Sequence, residues 1–182
     1  MKSRTLPVEL TACRVRRAEE ADLEWIAAIG SDAFSGLRPL ERAERWVRAS
    51  FRASPRMAYW VAEDDGAIVG YILWIEKGGF RDRAVVELEQ VAVERTYQGR
   101  GVGTALVRQS LEELERAIEA RGARLKVIEV TTGTQQNAAE FYRRTLGAEV
   151  VATIPDLFRG DERVLIARRG NDDRRTRNPA GA

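Results

Sequence analysis

The sequence contains no histidine and only one cysteine, Cys13. Without histidine the chain cannot form a Ser-His-Asp triad, a Cys-His pair or a His-ligated zinc or iron site. One cysteine allows neither an internal disulfide nor a cysteine cluster, so we expect no bound metal. Because residues 1–11 also lack the apolar core of a signal peptide, we expect a cytoplasmic protein. Cys13 itself is predicted to be a small core residue.

A strong net charge and long hydrophobic segments are also missing. The 182 residues include 30 basic and 28 acidic side chains, a net charge of +2. This balance does not favour binding to nucleic acid or to an acidic membrane. The longest apolar run, residues 67–75, is far shorter than the about 20 residues that cross a bilayer. We therefore expect neither nucleic acid nor membrane as a partner.

The apolar residues of the chain alternate between strand-like and helix-like spacing. This order predicts one α/β (α+β) domain over residues 12–169, with an N-terminal extension over 1–11 and a flexible tail over 170–182. Mixed order of this kind implies a mixed sheet with helices on its faces. The predicted strands are 13–17, 57–63, 68–76, 84–93, 125–131, 148–154 and 164–167, and the predicted helices are 19–34, 37–50, 103–121 and 134–144.

The most informative segment is a glycine-rich turn between a predicted strand and a predicted helix. It reads Gln98, Gly99, Arg100, Gly101, Val102, Gly103, Thr104. Closely spaced glycines let backbone N–H groups converge, and the helix start adds free N–H groups and the positive end of its dipole. The turn therefore predicts a phosphate or diphosphate site, although tight packing alone is the alternative explanation. Neither the dinucleotide-binding glycine pattern nor the phosphate-loop lysine is present.

Two motifs resemble those of a known family. Gln98-x-x-Gly101-x-Gly103, after the strand Val91-Ala92-Val93, resembles the acetyl-CoA motif of the GNAT superfamily of N-acetyltransferases. Ala138-x-x-Phe141-Tyr142 followed by Leu146-Gly147 is similar to the second conserved block of that family. The resemblance implies a mixed, mostly antiparallel central sheet of about seven strands flanked by about four helices. It also implies that the strands predicted at 84–93 and 125–131 splay apart to admit the cofactor.

The resemblance assigns residues to acetyl-CoA as co-substrate. The backbone of Gln98 to Thr104 would hold the diphosphate, and Arg100 would either add charge there or point to solvent. The strand Val91, Ala92, Val93 would bind the pantetheine arm, with an N–H group near Val91 facing the thioester oxygen. Many members carry an asparagine seven residues before the tyrosine. That position here is Gln135, and Asn137 follows two residues later, so both amides are candidate contacts.

Acetyl transfer to an amine requires two proton movements. A lysine-like amine, with a pKa near ~10.4, attacks only after losing a proton, which a carboxylate can accept. Resemblance favours Glu87 as that base, with Glu89 as second choice; the two-residue period of a strand places both on the face of Val91 and Val93. Two close carboxylates raise each other's pKa, which suits a base. Exposed strand positions or electrostatic binding of a cation are the alternatives.

The matching tyrosine, Tyr142, is implied to protonate the leaving thiolate, with core packing as the alternative. The resemblance thus implies an N-acetyltransferase that moves an acetyl group from acetyl-CoA to a primary amine by direct attack in a ternary complex. A non-catalytic acyl-CoA-binding or regulatory module is the alternative, and transfer of longer acyl chains is a third option. Because dimers are common in the family, a homodimer is one option for the assembly.

The acceptor is expected to be a small-molecule or protein amine, since the paired carboxylates favour a cation. We expect its site between the N-terminal helices, the strand that carries Glu87 and the segment after residue 154. Aromatic and acidic residues near these segments are candidates for lining it or for simple packing. They are Phe34, Trp74, Glu76, Phe80 and Phe158.

Overall fold

The computed structural model describes residues 13–134 and 138–170. Within them, each predicted strand and helix corresponds to an observed one. The strands are β1 Arg14–Arg17, β2 Met57–Asp64, β3 Ala67–Lys77, β4 Arg83–Val93, β5 Arg124–Gly133, β6 Glu149–Ile154 and β7 Glu162–Arg168, and the helices are α1 Leu23–Ala33, α2 Leu40–Arg52, α3 Val102–Ala120 and α4 Ala138–Leu146. None of the helices in this part of the chain is both long and apolar enough to cross a bilayer. The predicted extension, and the predicted tail after Gly170, lie outside the described residues.

The strands form one seven-stranded sheet in the order β1-β2-β3-β4-β5-β7-β6. Only β4 and β5 run parallel, and the other neighbours pair in antiparallel fashion. The predicted mixed, mostly antiparallel sheet is therefore confirmed. The parallel pair is possible because α3 carries the chain back from the end of β4 to the start of β5.

Two hydrophobic clusters cover the two sides of the sheet. We call one side the α3–α4 face, where Leu106 of α3 and Tyr142 of α4 pack against strand residues such as Trp74. On the other side, the α1–α2 face, Ile26 and Val47 pack against Tyr71 and its neighbours. Cys13, predicted to lie in the core, is only partly buried against the α3–α4 cluster.

The strands β4 and β5 separate about halfway along their length. They pair from Arg83↔Arg124 to Leu88↔Val130. Beyond this point β4 stays paired with β3 as far as Gly70↔Val93, while β5 stays paired with β7 as far as Gly133↔Glu162. The predicted splay of the two central strands is therefore confirmed. It opens a wedge beside residues 89–93 of β4.

A β-bulge lies at the start of this wedge. The register between β3 and β4 passes from Trp74↔Leu88 to Leu73↔Gln90, so Glu89 is an additional residue on β4. A bulge of this kind interrupts the two-residue alternation of side chains.

The bulge reverses which side chains of β4 face which cluster. Before it, Val86 and Leu88 belong to the α3–α4 cluster. After it, Ala92 belongs to the α1–α2 cluster, while Val91 and Val93 pack against the α3–α4 cluster. The prediction that Glu87 and Glu89 share a face with Val91 and Val93 is therefore wrong, because strict alternation does not hold across residue 89.

An ion-pair cluster fixes the start of α1 to the sheet. The guanidinium of Arg16 on β1 donates to both carboxylate oxygens of Asp22, at 2.7 and 2.9 Å, and to Glu63 Oε2 at 2.7 Å. The N–H group of Glu19 also donates to Asp22 Oδ2, at 2.8 Å. The hydrogen bonds from Arg16 hold the pKa of the buried Asp22 carboxyl below its usual value. The cluster thereby orients the helix that covers one side of β4.

Replacing this carboxylate should destabilise the fold in a pH-dependent way. We expect Asp22→Asn to lower the free energy of unfolding at pH 7 by about 2 kcal/mol, the scale of hydrogen bonds to charged groups. A carboxyl whose pKa is lowered on folding stabilises the fold above its unfolded pKa of about 3.9 and loses that effect as the pH falls through its folded pKa. Urea unfolding of both proteins should therefore show a difference that shrinks below about pH 4.

Asp32→Asn is the matched control, because Asp32 pairs with Arg95 on the surface and should matter little. A difference for Asp22→Asn that stayed constant down to acid pH would contradict this account.

Candidate active site

The glycine-rich turn leads directly into α3. Gly99 and Gly101 have φ values of 76° and 84°, a left-handed conformation that side chains other than glycine rarely adopt. The first helical hydrogen bond runs from the N–H of Ala105 to the carbonyl of Gly101, at 3.0 Å. The N–H groups before Ala105 are therefore donors that the helix leaves unpaired. The first turn of α3, all of whose residues are described, carries no acidic side chain.

A cleft of about 460 Å³ lies between this turn, the end of β4 and α4. It brings the predicted diphosphate turn and the predicted pantetheine strand together in one place. The cleft is lined by Val91, Val93, Tyr97, Gln98, Gly99, Gly101, Val102, Gly103, Thr104, Phe141 and Arg144. An unpaired helix start beside an arginine suits an anionic ligand.

Two of the predicted cofactor residues lie away from this cleft, and two lie outside the described residues. Ala92 is buried in the α1–α2 cluster. The guanidinium of Arg100 lies over the ring of Tyr97, 5.1 Å from its centroid. Gln135 and Asn137 lie outside the described residues.

Two features of the cleft were not predicted. The side chain of Gln98 donates through Nε2 to the carbonyl oxygen of Val93, at 3.0 Å, and so ties the turn to the end of β4. Arg144 lines the cleft from α4. Helical spacing could have predicted this position, because Arg144 follows Phe141 by three residues and so lies on the same side of α4.

Tyr142 lies on α4 and is 8% exposed. Its ring meets the ring of Phe141 edge to face, with the centroids 5.2 Å apart. Burial raises the pKa of Tyr142 to about 12, so its hydroxyl keeps a proton throughout the physiological range. A thiol ionises near ~8.5 and is therefore the stronger acid, so this hydroxyl can donate a hydrogen bond to a nearby thiolate but gives up its proton only in an uphill step.

Three carboxylates and one lysine form a cluster where β4 and β5 part. Glu87 and Glu129 are partners in the β4–β5 register, one pair before its end. Lys77 Nζ lies 3.2 Å from Glu87 Oε2 and 2.9 Å from Glu129 Oε1. Sequence analysis missed Glu129, for which the only signal is an acidic residue between the apolar residues Ile128 and Val130.

Glu89, the bulge residue, is the third carboxylate of this cluster. It borders a pocket of about 330 Å³ that is also lined by Phe34, Leu37, Arg42 and Trp46. Burial, and then the charge of Glu87, raise the pKa of Glu89, while the charge of Lys77 lowers it. Burial is thus the larger cause of the raised pKa of Glu89, and the neighbouring carboxylate the smaller one.

Three of the candidate acceptor residues are on the wrong side of the sheet. Trp74 is buried in the α3–α4 cluster and donates from its indole to Ser110 Oγ at 2.9 Å. Glu76 is ion-paired with Arg121, whose guanidinium also lies 4.9 Å from the ring centroid of Phe80. Glu76 and Phe80 border the end of α3, and Trp74 contacts the middle of that helix, so none of the three lies at the carboxylate cluster.

The other two candidates lie on loops that approach each other. Phe34 follows α1 and borders the pocket of Glu89, and Phe158 is highly exposed in the loop after β6. Arg159 of that loop donates from Nη1 to Ser35 Oγ, at 3.0 Å. The expected acceptor site between the N-terminal helices, β4 and the segment after residue 154 remains a prediction.

Comparison with known proteins gives the following similarities. The sequence model of the acetyltransferase (GNAT) family matches residues 23–148. A curated relative, an uncharacterized N-acetyltransferase of Methanocaldococcus jannaschii, is 26% identical over 159 residues. That match covers 82% of this chain and 66% of the relative, so the chain spans slightly less than two thirds of that protein's length.

Solved structures share the fold. The ribosomal-protein-alanine N-acetyltransferase of Brucella melitensis has a TM-score of 0.65 and 24% identity, over 85% of this chain and 99% of its own. Naa50 of Arabidopsis thaliana, in complex with the bisubstrate analogue CoA-Ac-MVNAL, has a TM-score of 0.68 and 16% identity, over 85% of this chain and 97% of its own.

Filling the cleft at Gly103 should block it. A Cβ atom there would lie 3.6 Å from Phe141 Cζ and 3.8 Å from Val93 Cγ2, so the branches of a valine would occupy the space between them. We expect Gly103→Val to weaken CoA binding by about tenfold or more, equivalent to about 1.4 kcal/mol, in titration calorimetry. Ala117→Val, a change at an exposed position of α3, should bind CoA like the unmodified protein. Equal affinities for the two variants would show that CoA does not use the cleft.

Proposed function

Because the chain belongs to the acetyltransferase (GNAT) family, we propose that it is an N-acetyltransferase that moves the acetyl group of acetyl-CoA directly to a primary amine in a ternary complex. The family consists of acyltransferases that use acetyl-CoA, and its structures include complexes with CoA analogues. The observation that carries the proposal is the wedge between β4 and β5, with a helix start at one end and a carboxylate cluster at the other. A thioester in the wedge would lie between an anion site and a proton acceptor.

The proposed cofactor site uses mainly the backbone of the chain. The amides of the turn before α3 would hold the diphosphate, whose charge the helix dipole and Arg144 would offset. The pantetheine arm would pair with the edge of β4 at Val91 and Val93, as an added strand does. Its amide groups would then use main-chain positions that β5 leaves open when it diverges.

The structure gives a reason to prefer Glu89 over Glu87 as the base. Glu87 is engaged by Lys77, whereas Glu89 lies on the bulge with a raised pKa. A base with a raised pKa holds an abstracted proton better. Glu87 and Glu129 would attract the acceptor's ammonium group to the place where Glu89 can deprotonate it.

The reaction then forms a C–N bond and breaks the C–S bond. Glu89 first takes a proton from the ammonium group and releases it to solvent. The neutral amine then attacks the thioester carbon, and its second proton passes to Glu89 directly or through water. The N–H group near Val91 stabilises the oxyanion that forms. The C–S bond breaks as the oxyanion collapses, the thiolate takes the proton of the Tyr142 hydroxyl, and the proton held by Glu89 returns through water to the tyrosinate. The products are the acetylated amine and CoA.

The proposal as a whole is tested by release of free thiol from acetyl-CoA in the presence of a broad panel of primary amines. We expect turnover with at least one amine. Binding of CoA without thiol release for any amine would instead support a non-catalytic acyl-CoA-binding module.

Removing the Tyr142 hydroxyl should slow chemistry without weakening cofactor binding. We expect Tyr142→Phe to lower kcat by about 10²-fold or more, the usual scale for a general acid, while KM for acetyl-CoA stays similar. The ring keeps its contact with Phe141, so the fold should persist. Tyr59→Phe is the matched control, since it removes a buried hydroxyl on the α1–α2 face. Equal kcat in both variants would remove Tyr142 from the acid role.

The acidic limb of the pH profile should identify the base. Activity requires ionised Glu89, so kcat/KM should fall as the pH drops through its raised pKa. The charge of Glu87 raises that pKa, so Glu87→Gln should move the limb to lower pH. Glu89→Gln should lower kcat by about 10²-fold and abolish the limb. A limb that persists in Glu89→Gln and disappears in Glu87→Gln would assign the base to Glu87.

A further inference from the structure

A basic groove adjoins the carboxylate cluster. It has a volume of about 680 Å³ and lies beside the first half of β4, at the end remote from the glycine-rich turn. Four of its side chains are basic and one is acidic. The groove, called the basic groove below, is lined by Lys77, Gly78, Arg81, Asp82, Arg83, Val85 and Lys126.

Lys77 connects the basic groove with the proposed acceptor site. It lines the groove, and its ammonium group contacts both Glu87 and Glu129. Val85, another lining residue, precedes Glu87 by two positions, before the bulge, and so lies on the same side of β4. At about 3.3 Å per residue, the groove begins roughly 7 Å from Glu87 and reaches roughly 13 Å at Arg83.

The charges on this surface change sign along β4. Glu87, Glu89 and Glu129 lie near the wedge, and Lys77 offsets part of their charge. Farther along, Arg81, Arg83 and Lys126 outnumber Asp82, which is the one carboxylate among the described residues that line the groove. Lys126 is exposed and is an additional residue on β5, because the register passes from Ala84↔Leu125 to Val85↔Val127. A molecule that lies along this surface meets negative charge first and positive charge next.

We propose that the basic groove binds acidic side chains of a peptide acceptor whose terminal amine lies at the carboxylate cluster. This inference rests on the proposed function. An extended peptide also advances about 3.3 Å per residue, so its third to fifth residues would lie along the groove when its amine is at Glu87. Its positive amine and its acidic side chains would then both face opposite charges, and such complementarity selects partners by charge.

The preference is measured as kcat/KM for three peptides at saturating acetyl-CoA. They begin Ala-Glu-Glu-Glu, Ala-Gln-Gln-Gln and Ala-Arg-Arg-Arg. We expect the acidic peptide to exceed the neutral one by about fivefold, mainly through KM, and the arginine peptide to be the poorest, given two or three exposed ion pairs. Raising NaCl from about 50 to about 500 mM should remove most of the preference, since exposed charges are screened.

A variant with a reversed charge in the basic groove tests whether the groove causes this preference. Lys126→Glu should lower the ratio of acidic to neutral kcat/KM by about threefold or more. Arg116→Glu is the matched control, because it makes the same charge change at an exposed position of α3 and should leave the ratio unaltered. A wild-type ratio near one, or a ratio equally affected by both variants, would overturn the inference and leave the proposed function intact. Thiol release with no peptide but with small amines would also overturn it, whereas no release with any amine would contradict the proposed function itself.

Discussion

The divergence of β4 from β5 is the constraint on which the rest of the site depends. Each strand remains bound on its outer side, β4 by β3 and β5 by β7, so the gap cannot close by sliding one strand toward the other. Backbone polar groups along such a gap need partners, and a ligand with its own amides can supply them. The turn before α3 then places helix-start donors at the open end of the same gap. The gap between β4 and β5 is thus both a property of the fold and the place of the proposed chemistry.

The bulge at Glu89 gives this gap two chemically different sides. Val91 and Val93 turn toward α3 and α4, where Phe141 and Tyr142 lie. Glu89 instead borders a pocket formed by the segment after α1 and by α2. A proton acceptor and a proton donor are therefore on opposite sides of the strand, which is what attack on one face of a thioester and departure of its sulfur require. In a regular strand Glu89 would have shared a side with Val91 and Val93.

Sequence patterns predicted most of the fold and the position of the glycine-rich turn before α3, because these depend on local signals. Strand alternation, helical spacing and the glycines at 99 and 101 are signals that lie within a few residues of sequence. The bulge depends on how β3 and β4 pair, so alternation alone misplaced Glu87 and Glu89 relative to Val91. Glu129 reaches Glu87 only through the parallel register that α3 creates. For Trp74 the sequence left pocket lining and core packing open, because the side of β3 on which it lies depends on packing against α3, where its indole donates to Ser110.

The central claim is that the main-chain amides before and at the start of α3 hold the diphosphate of CoA. The most direct measurement is a titration of ¹⁵N-labelled protein with CoA and, separately, with pantetheine, which lacks the diphosphate. The account predicts that the amide signals of Gly99, Gly101 and Gly103 shift strongly with CoA and little with pantetheine. CoA binding that leaves these three amides unmoved, or that moves them equally with pantetheine, would contradict it.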